Sequence, residues 1–256
     1  MAGTDRVKQV DLDALPPAPA VILVDPQLGE NIGMVARAML NCGLADLRLV
    51  RPRDGWPSPK AREASSGAVQ VIDAARVFET TGQAVADLKV VLATTARERE
   101  QVAEILTPRA AAGRLHQAVG VGAPAGVLFG AERAGLTNED VALADAVVQV
   151  PLNPGFSSLN LAQAVLLVAY EWFCHDDPTA LVEMRYGQTM PADRADLINY
   201  FERLEAALDD SGFFKAPEMR PTVVRNLRAM YARAGLTDQE VRTLQGVLSA
   251  LMRRGV

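Results

Sequence analysis

The chain of 256 residues is poor in the residues that staple or metallate a small protein. It has two cysteines and two histidines. Cys42 and Cys174 offer no disulfide framework and suit a reducing compartment. Cys174 adjoins His175, but no second ligand pair stands at metal-binding spacing, so no metal is expected. Long apolar runs are also missing. The richest stretch, 159–173, is interrupted by Asn160, Gln163 and Glu171, short of the about 18 apolar residues of a membrane span. The first residues lack the apolar centre of a signal peptide, so the expected location is the cytoplasm, with no membrane partner. A net charge of −5 leaves no overall basic excess for nucleic acid. No GxGxxG follows the first apolar run and no GxxxxGK[ST] occurs anywhere, which weighs against a nucleotide-binding oxidoreductase.

What is present is ordinary globular material, 49% hydrophobic and 22% charged, enough for one α/β domain and a small appendage. Five short β-rich runs stand at 21–25, 47–51, 89–93, 126–130 and 146–151. Most are apolar almost throughout, the pattern of parallel strands buried on both faces. Helical patterns separate them at 31–41, 108–119, 137–144 and 159–173. Gly43 reads as a stop for the first, and Thr137 with Asp140 as a capping box for the third. Alternation of this kind means an α/β domain with a parallel sheet. The pattern predicts that domain over 1–175, a polar linker over 176–192 and a helical extension over 193–256, with helices near 192–211, 217–234 and 237–253. A module of about 60 residues holds little core and is expected to pack on another surface.

Open parallel sheets place their chemistry at the carboxyl ends of the strands. After the first run comes Asp25-Pro-Gln-Leu-Gly-Glu-Asn-Ile-Gly33, with Asn31 as a helix cap and Gly33 allowing close backbone approach. Arg37 follows on a helix of small and apolar residues, either paired with a carboxylate or free for a phosphate. After the third run, Thr94-Thr95-Ala96 is either a plain turn or a ligand loop. After the fourth, Gly130-Ala-Glu132-Arg133 sets an acid in a loop, where Glu132 either pairs with Arg133 or serves a site. After the fifth, Ser157, Ser158 and Asn160 stand at the mouth of a long apolar helix, which Ser157 or Ser158 is expected to cap.

Charge is uneven. Residues 1–178 carry 15 Lys/Arg against 21 Asp/Glu, and residues 179–256 carry 11 against 10. Arg220, Arg225, Arg228 and Arg233 lie in a stretch without acids, either a solvated helix face or a basic patch. A second basic group surrounds the second run: Arg48, Arg51, Arg53, Lys60 and Arg62.

Three of these segments together resemble the SPOUT superfamily of RNA methyltransferases, in its SpoU/TrmH branch. They are Asn31-Ile-Gly-Met-Val-Ala-Arg37, Leu128-Phe-Gly-Ala-Glu-Arg-Ala-Gly-Leu136 and Val150-Pro-Leu-Asn-Pro-Gly-Phe-Ser-Ser-Leu-Asn160, in that order. Gly212-Phe-Phe and Asn226-Leu-Arg-Ala-Met-Tyr extend the likeness through the helical extension, towards the branch's tRNA cytidine/uridine methyltransferases. The resemblance implies an α/β fold with a trefoil knot and a homodimer whose sites draw on both chains. It implies S-adenosyl-L-methionine (SAM) as cofactor, lined by Thr94, Thr95, Ala96, Gly130, Val150, Ser157, Ser158 and Leu159. The implied catalytic set is Arg37, Asn31, Glu132, Ser158 and Asn160. The implied reaction is 2′-O-methylation of a tRNA anticodon-loop pyrimidine, at nucleotide 32. The alternatives are another tRNA site, rRNA, or a catalytically silent RNA-binding member. Arg220, Arg225, Arg228 and Arg233 are the expected RNA contacts, with the second basic group beside them.

Overall fold

The computed structural model describes residues 10–95, 104–179, 182 and 186–253. The chain divides into two compact units, Met1–Pro178 and Thr179–Val256.

The first unit is built on β1 (Ala20–Val24), β2 (Leu47–Val50), β3 (Arg76–Phe78), β4 (Val90–Thr94), β5 (Ile105–Leu106), β6 (Ala125–Phe129) and β7 (Ala146–Val148). They form one sheet in the order β3-β2-β1-β6-β4-β7-β5, and every pairing is parallel. All five expected strands are present. The two unforeseen ones, β3 and β5, sit at the sheet edges, where Val77 and Ile105 are exposed. Three-residue and two-residue edge strands carry no buried apolar run to betray them.

Alternate residues of each central strand enter different cores. Val21, Leu23, Val127 and Phe129 pack with α1 (Gly29–Asn41), α5 (Pro108–Gly120) and α7 (Leu161–His175). The short α2 (Pro59–Ala64) and α3 (Val69–Asp73) join that face through Ala61, Val71 and Ile72. Ile22, Val24 and Leu128 face the other way, against α4 (Thr81–Val85) and α6 (Asn138–Val141). Both faces being covered explains why these strands read as unbroken apolar runs. Each large side chain so buried contributes roughly 1.5–3 kcal/mol.

The expected capping box of α6 is formed: Thr137 accepts from the Asp140 N–H, and Asp140 accepts from the Thr137 N–H. Two expected caps are not. Helix α1 starts two residues earlier than anticipated, at Gly29 after Leu28, so Asn31 lies inside its first turn with its side chain free for other work. Helix α7 is capped by Asn160, whose Oδ1 accepts from the Ala162 N–H at 2.8 Å, while Gln163 Oε1 accepts from the Asn160 N–H at 3.1 Å. Ser157 and Ser158 lie upstream, beyond the reach of the helix's free N–H groups, which extend only over its first turn.

The second unit holds α8 (Arg194–Asp210), a 3-10 turn (Pro217–Met219), α9 (Arg220–Ala234) and α10 (Asp238–Arg253). Its core is thin: Leu197, Tyr200, Phe201, Val241 and Leu248 are buried, and α9 contributes no buried residue. The Tyr200 hydroxyl lies 3.1 Å from that of Tyr231, and Gly235 ends α9 in a left-handed conformation.

Candidate active site

Because every strand is parallel, the loops after β1, β4, β6 and β7 leave the same edge of the sheet. The chain order reverses between β1 and β6, the switch point where open α/β sheets take ligands. Asn31 follows β1 and Glu132 follows β6, and the structure joins them there.

Glu132 Oε1 accepts from Asn31 Nδ2 at 2.6 Å, and Asn160 Nδ2 donates to Asn31 Oδ1 at 3.0 Å. Three segments far apart in sequence are thus tied by one buried amide; Asn31 is 4% exposed. The second carboxylate oxygen of Glu132 accepts the Gln27 N–H at 2.9 Å. Glu132 therefore spends one oxygen on the β1–α1 loop and the other on the first turn of α1. It does not pair with Arg133, the partner considered from the sequence.

Glycine makes this closure possible. A Cβ on Gly130 would lie 2.2 Å from both the carbonyl carbon of Gly135 and the N of Leu136. The loop folds back there through the Ala131–Gly135 bridge, with the Gly135 N–H on Ala131 O at 2.8 Å. Gly33 serves the same end on α1, where a Cβ would stand 2.2 Å from the Ala61 carbonyl oxygen. The expected close approach is made by α2.

The remaining candidates spread along the same edge. Thr94 is half-buried and donates to the Leu128 carbonyl at 2.9 Å. The Thr95 N–H reaches Val148 O at 3.1 Å, lacing β4 to β7. Ala96 lies outside the described residues. Val150 and Leu159 are half-buried. Ser157 and Ser158 are exposed, beyond a tight turn in which the Phe156 N–H meets Asn153 O at 2.9 Å.

Arg37 is not buried, contrary to the concern its apolar helix raised. It is exposed and has no ion-pair partner among the described residues. It stands six residues beyond Asn31, so on an α-helix it points about 120° away and rises about 9 Å. Within one chain it turns from the Asn31–Glu132–Asn160 cluster.

Sequence reasoning overlooked how the loop is fastened. Asp25 and Arg51 end β1 and β2 with positive φ values of 50° and 48°, and their side chains pair at 3.0 Å through both carboxylate oxygens. The Gly29 N–H reaches Asp54 Oδ2 at 3.3 Å. The sequence carried no signal for it: each of these residues precedes a proline, which favours an extended conformation before it, and the two lie 26 residues apart. One member of the second basic group must also be corrected. Arg48 is 3% exposed and bound to Asp46, Asp87 and the Ala84 carbonyl, so it is an internal strut and no RNA contact. Hydrogen bonding to Arg48 holds the Asp87 carboxyl below its ordinary range. Arg51, Lys60 and Arg62 are paired with Asp25, Asp54 and Asp73 respectively.

In the second unit Arg220 and Arg228 pair with Asp209 and Glu205, each at 2.6 Å. Among the described residues Arg225 donates to the Thr222 hydroxyl and has no ion-pair partner, and Arg233 is exposed without one.

Comparison with known proteins agrees with this geometry. Residues 18–170 match the SpoU rRNA Methylase family, and residues 195–256 match the tRNA methyltransferase TrmJ C-terminal domain. A tRNA (cytidine/uridine/adenosine-2′-O-)-methyltransferase TrmJ of Pseudomonas aeruginosa is 36% identical, over 90% of this chain and 91% of its own. A tRNA (cytidine/uridine-2′-O-)-methyltransferase TrmJ of Escherichia coli is 36% identical, over 90% and 94%. The crystal structure of TrmJ from Z. mobilis ZM4 superposes with a TM-score of 0.81 at 50% identity, over 91% of this chain and 99% of that one.

Proposed function

The chain belongs to the SpoU methylase family, and on that premise we propose that it methylates a ribose 2′-hydroxyl of tRNA with SAM as donor. The observation that carries this reading is the Glu132–Asn31–Asn160 hydrogen-bonded chain, which gathers the three motifs at the switch point of the sheet. The full-length likeness to TrmJ proteins, including their C-terminal domain, favours tRNA over rRNA. The finer target is nucleotide 32 of the anticodon loop, a pyrimidine.

The groups along β4, β6 and β7 suit such a cofactor. They are neutral: hydroxyls of Thr94, Thr95, Ser157 and Ser158, the backbone at Gly130, and the apolar chains of Val150 and Leu159. Neutral donors and backbone groups fit a ligand that carries its own sulfonium charge. SAM, when bound, supplies a methyl group on a good leaving group, so the chain's task is alignment and proton removal.

Asn31 and Asn160 hold the loops in register around the ribose. Glu132 has both oxygens engaged and acts as a positioning residue. Arg37 offers N–H donors and no acceptor, so it orients the RNA phosphate and hydroxyl while a phosphate oxygen or water takes the proton. Its outward direction favours service to a second subunit. Leu166, Leu167, Tyr170 and Phe173 of α7 are exposed, an apolar face suited to a homodimer. The trefoil knot implied by the family belongs to the same reading.

The deciding experiment is mass mapping of tRNA from a deletion strain, with and without the restored gene. Loss and recovery of one 2′-O-methyl group at nucleotide 32 supports the full reading. A change elsewhere in tRNA removes the finer target, and unchanged tRNA overturns the reading.

A further inference from the structure

The loop joining β2 to α2 entered none of the family motifs, yet it walls a cavity of about 320 Å³ that opens to solvent. Trp56, Ser58 and Arg62 line one side, and Ile72 and Asp73 of α3 the other. This volume stands at the lower end of the roughly 300–1,000 Å³ of small-ligand sites. Its chemistry is specific. An indole forms one wall, and Arg62 and Asp73 meet in a two-point ion pair, one arm at 3.3 Å, with both side chains more than half exposed.

The cavity belongs to the active edge of the sheet. The loop leaves the carboxyl end of β2, beside β1. It is sewn to the β1–α1 loop, with the Arg53 N–H on Pro26 O at 3.0 Å and the Gly29 N–H on Asp54. Ser58 presses so closely on the start of α1 that a Cβ on Gly29 would lie 2.3 Å from its hydroxyl. Gly29 is two residues from Asn31.

We propose that this cavity receives one unpaired nucleobase of the substrate RNA, flanking the methylated nucleotide, between the Trp56 indole and the Arg62–Asp73 pair. The proposal rests on the RNA methyltransferase reading. Unpaired bases are recognised by stacking on aromatic and guanidinium planes and by hydrogen bonds at their edges, which a paired helix hides. Arg62 offers the plane and Asp73 an acceptor for an exocyclic amine. Lys60 is paired with Asp54 and Glu30, whereas Arg53 in the same loop is exposed without an ion-pair partner among the described residues and offers the rim a contact for a backbone phosphate.

Intrinsic fluorescence tests this on the full-length protein, with a tRNA transcript as the probe. The chain has two tryptophans, and Trp172 is 8% exposed and stacked on His116, so Trp56 is the reporter. Saturating tRNA is expected to quench the wild type, and most of that quenching is expected to vanish in Trp56→Phe. Trp56→Leu should raise the KM for tRNA about tenfold, within the range for removing a stacked base. The KM for SAM should stay unchanged, and Trp56→Phe should recover most of the loss. Should Trp56→Leu fail to fold, Arg62→Ala on the exposed rim carries the same test, with a rise of about threefold. Normal methylation of tRNA with unmoved Trp56 emission and unaltered KM in Arg62→Ala overturns the cavity assignment alone. Emission that follows protein concentration without RNA assigns the cavity to a subunit contact and also overturns it. Absence of any tRNA binding or methylation instead overturns the functional reading beneath it.

Discussion

Arginine is used in opposite ways by the two units. In the α/β unit Arg48 is sealed between strands, with 3% of its side chain exposed and two carboxylates fixed around it. In the helical unit Arg220 and Arg228 are 41% and 44% exposed, each resting on one acid and one aromatic ring. An arginine closed off from water holds geometry, because removing its carboxylates would strand a buried charge. A pair whose arginine faces water contributes less, and its carboxylate can be exchanged for a phosphate. The difference separates arginines that support the fold from those available to RNA. On that division Arg37, Arg225 and Arg233 fall with the available group.

The sharpest test of the comparison is Arg48→Ala. It is expected to cost about 3 kcal/mol in urea unfolding, the low end for a buried pair because Asp46 and Asp87 keep contact with water. A loss below about 0.5 kcal/mol would place Arg48 with the surface arginines.

Arg37→Ala should do the reverse. Stability should hold to within about 0.5 kcal/mol, as for an exposed site, while turnover at saturating RNA falls about 100-fold or more. Near-normal turnover would remove Arg37 from the reaction.

Within the helical unit, Arg225→Ala with Arg233→Ala should weaken tRNA binding and lower the salt slope by about two, one for each lost phosphate contact. Arg220→Ala with Arg228→Ala should have a smaller effect, since each also frees a carboxylate. Equal effects would mean that the ion pairs open on binding.

The smallest effect concerns acid stability. Burial pushes the Asp140 carboxyl up, but hydrogen bonds from Thr81 and from the Thr137 backbone and hydroxyl outweigh it, leaving the group below its ordinary value of 3.8. A depressed folded value means that its contribution is complete above the unfolded value and is lost as pH falls through the lower folded one. Asp140→Asn should therefore flatten the dependence of the melting temperature on pH below about 4. An unaltered acid limb would show that Asp140 does not govern it.

Much of the fold was legible because its strands are buried on both faces. An unbroken apolar run such as 126–130 needs no partner to be recognised, nor does the Thr137–Asp140 box, whose halves are three residues apart. The short edge strands and the short α2, α3 and α4 left no such trace. The site residues were legible as types at strand ends, but their partners were not. Asn31 looked like a cap because amides often are; inside α1 it instead joins Glu132 and Asn160, residues 101 and 129 positions away. Arg48 looked like a surface cation because Asp87 stands 39 residues from it.

By itself the sequence determined the periodicity, the strand ends and the three polar motifs, since these depend on neighbours along the chain. Which carboxylate each arginine met, and that a tryptophan and an ion pair would line a cavity beside α1, were decided only by the tertiary structure. Those contacts join segments that the parallel crossovers bring together across many residues, and no local pattern encodes such a distance.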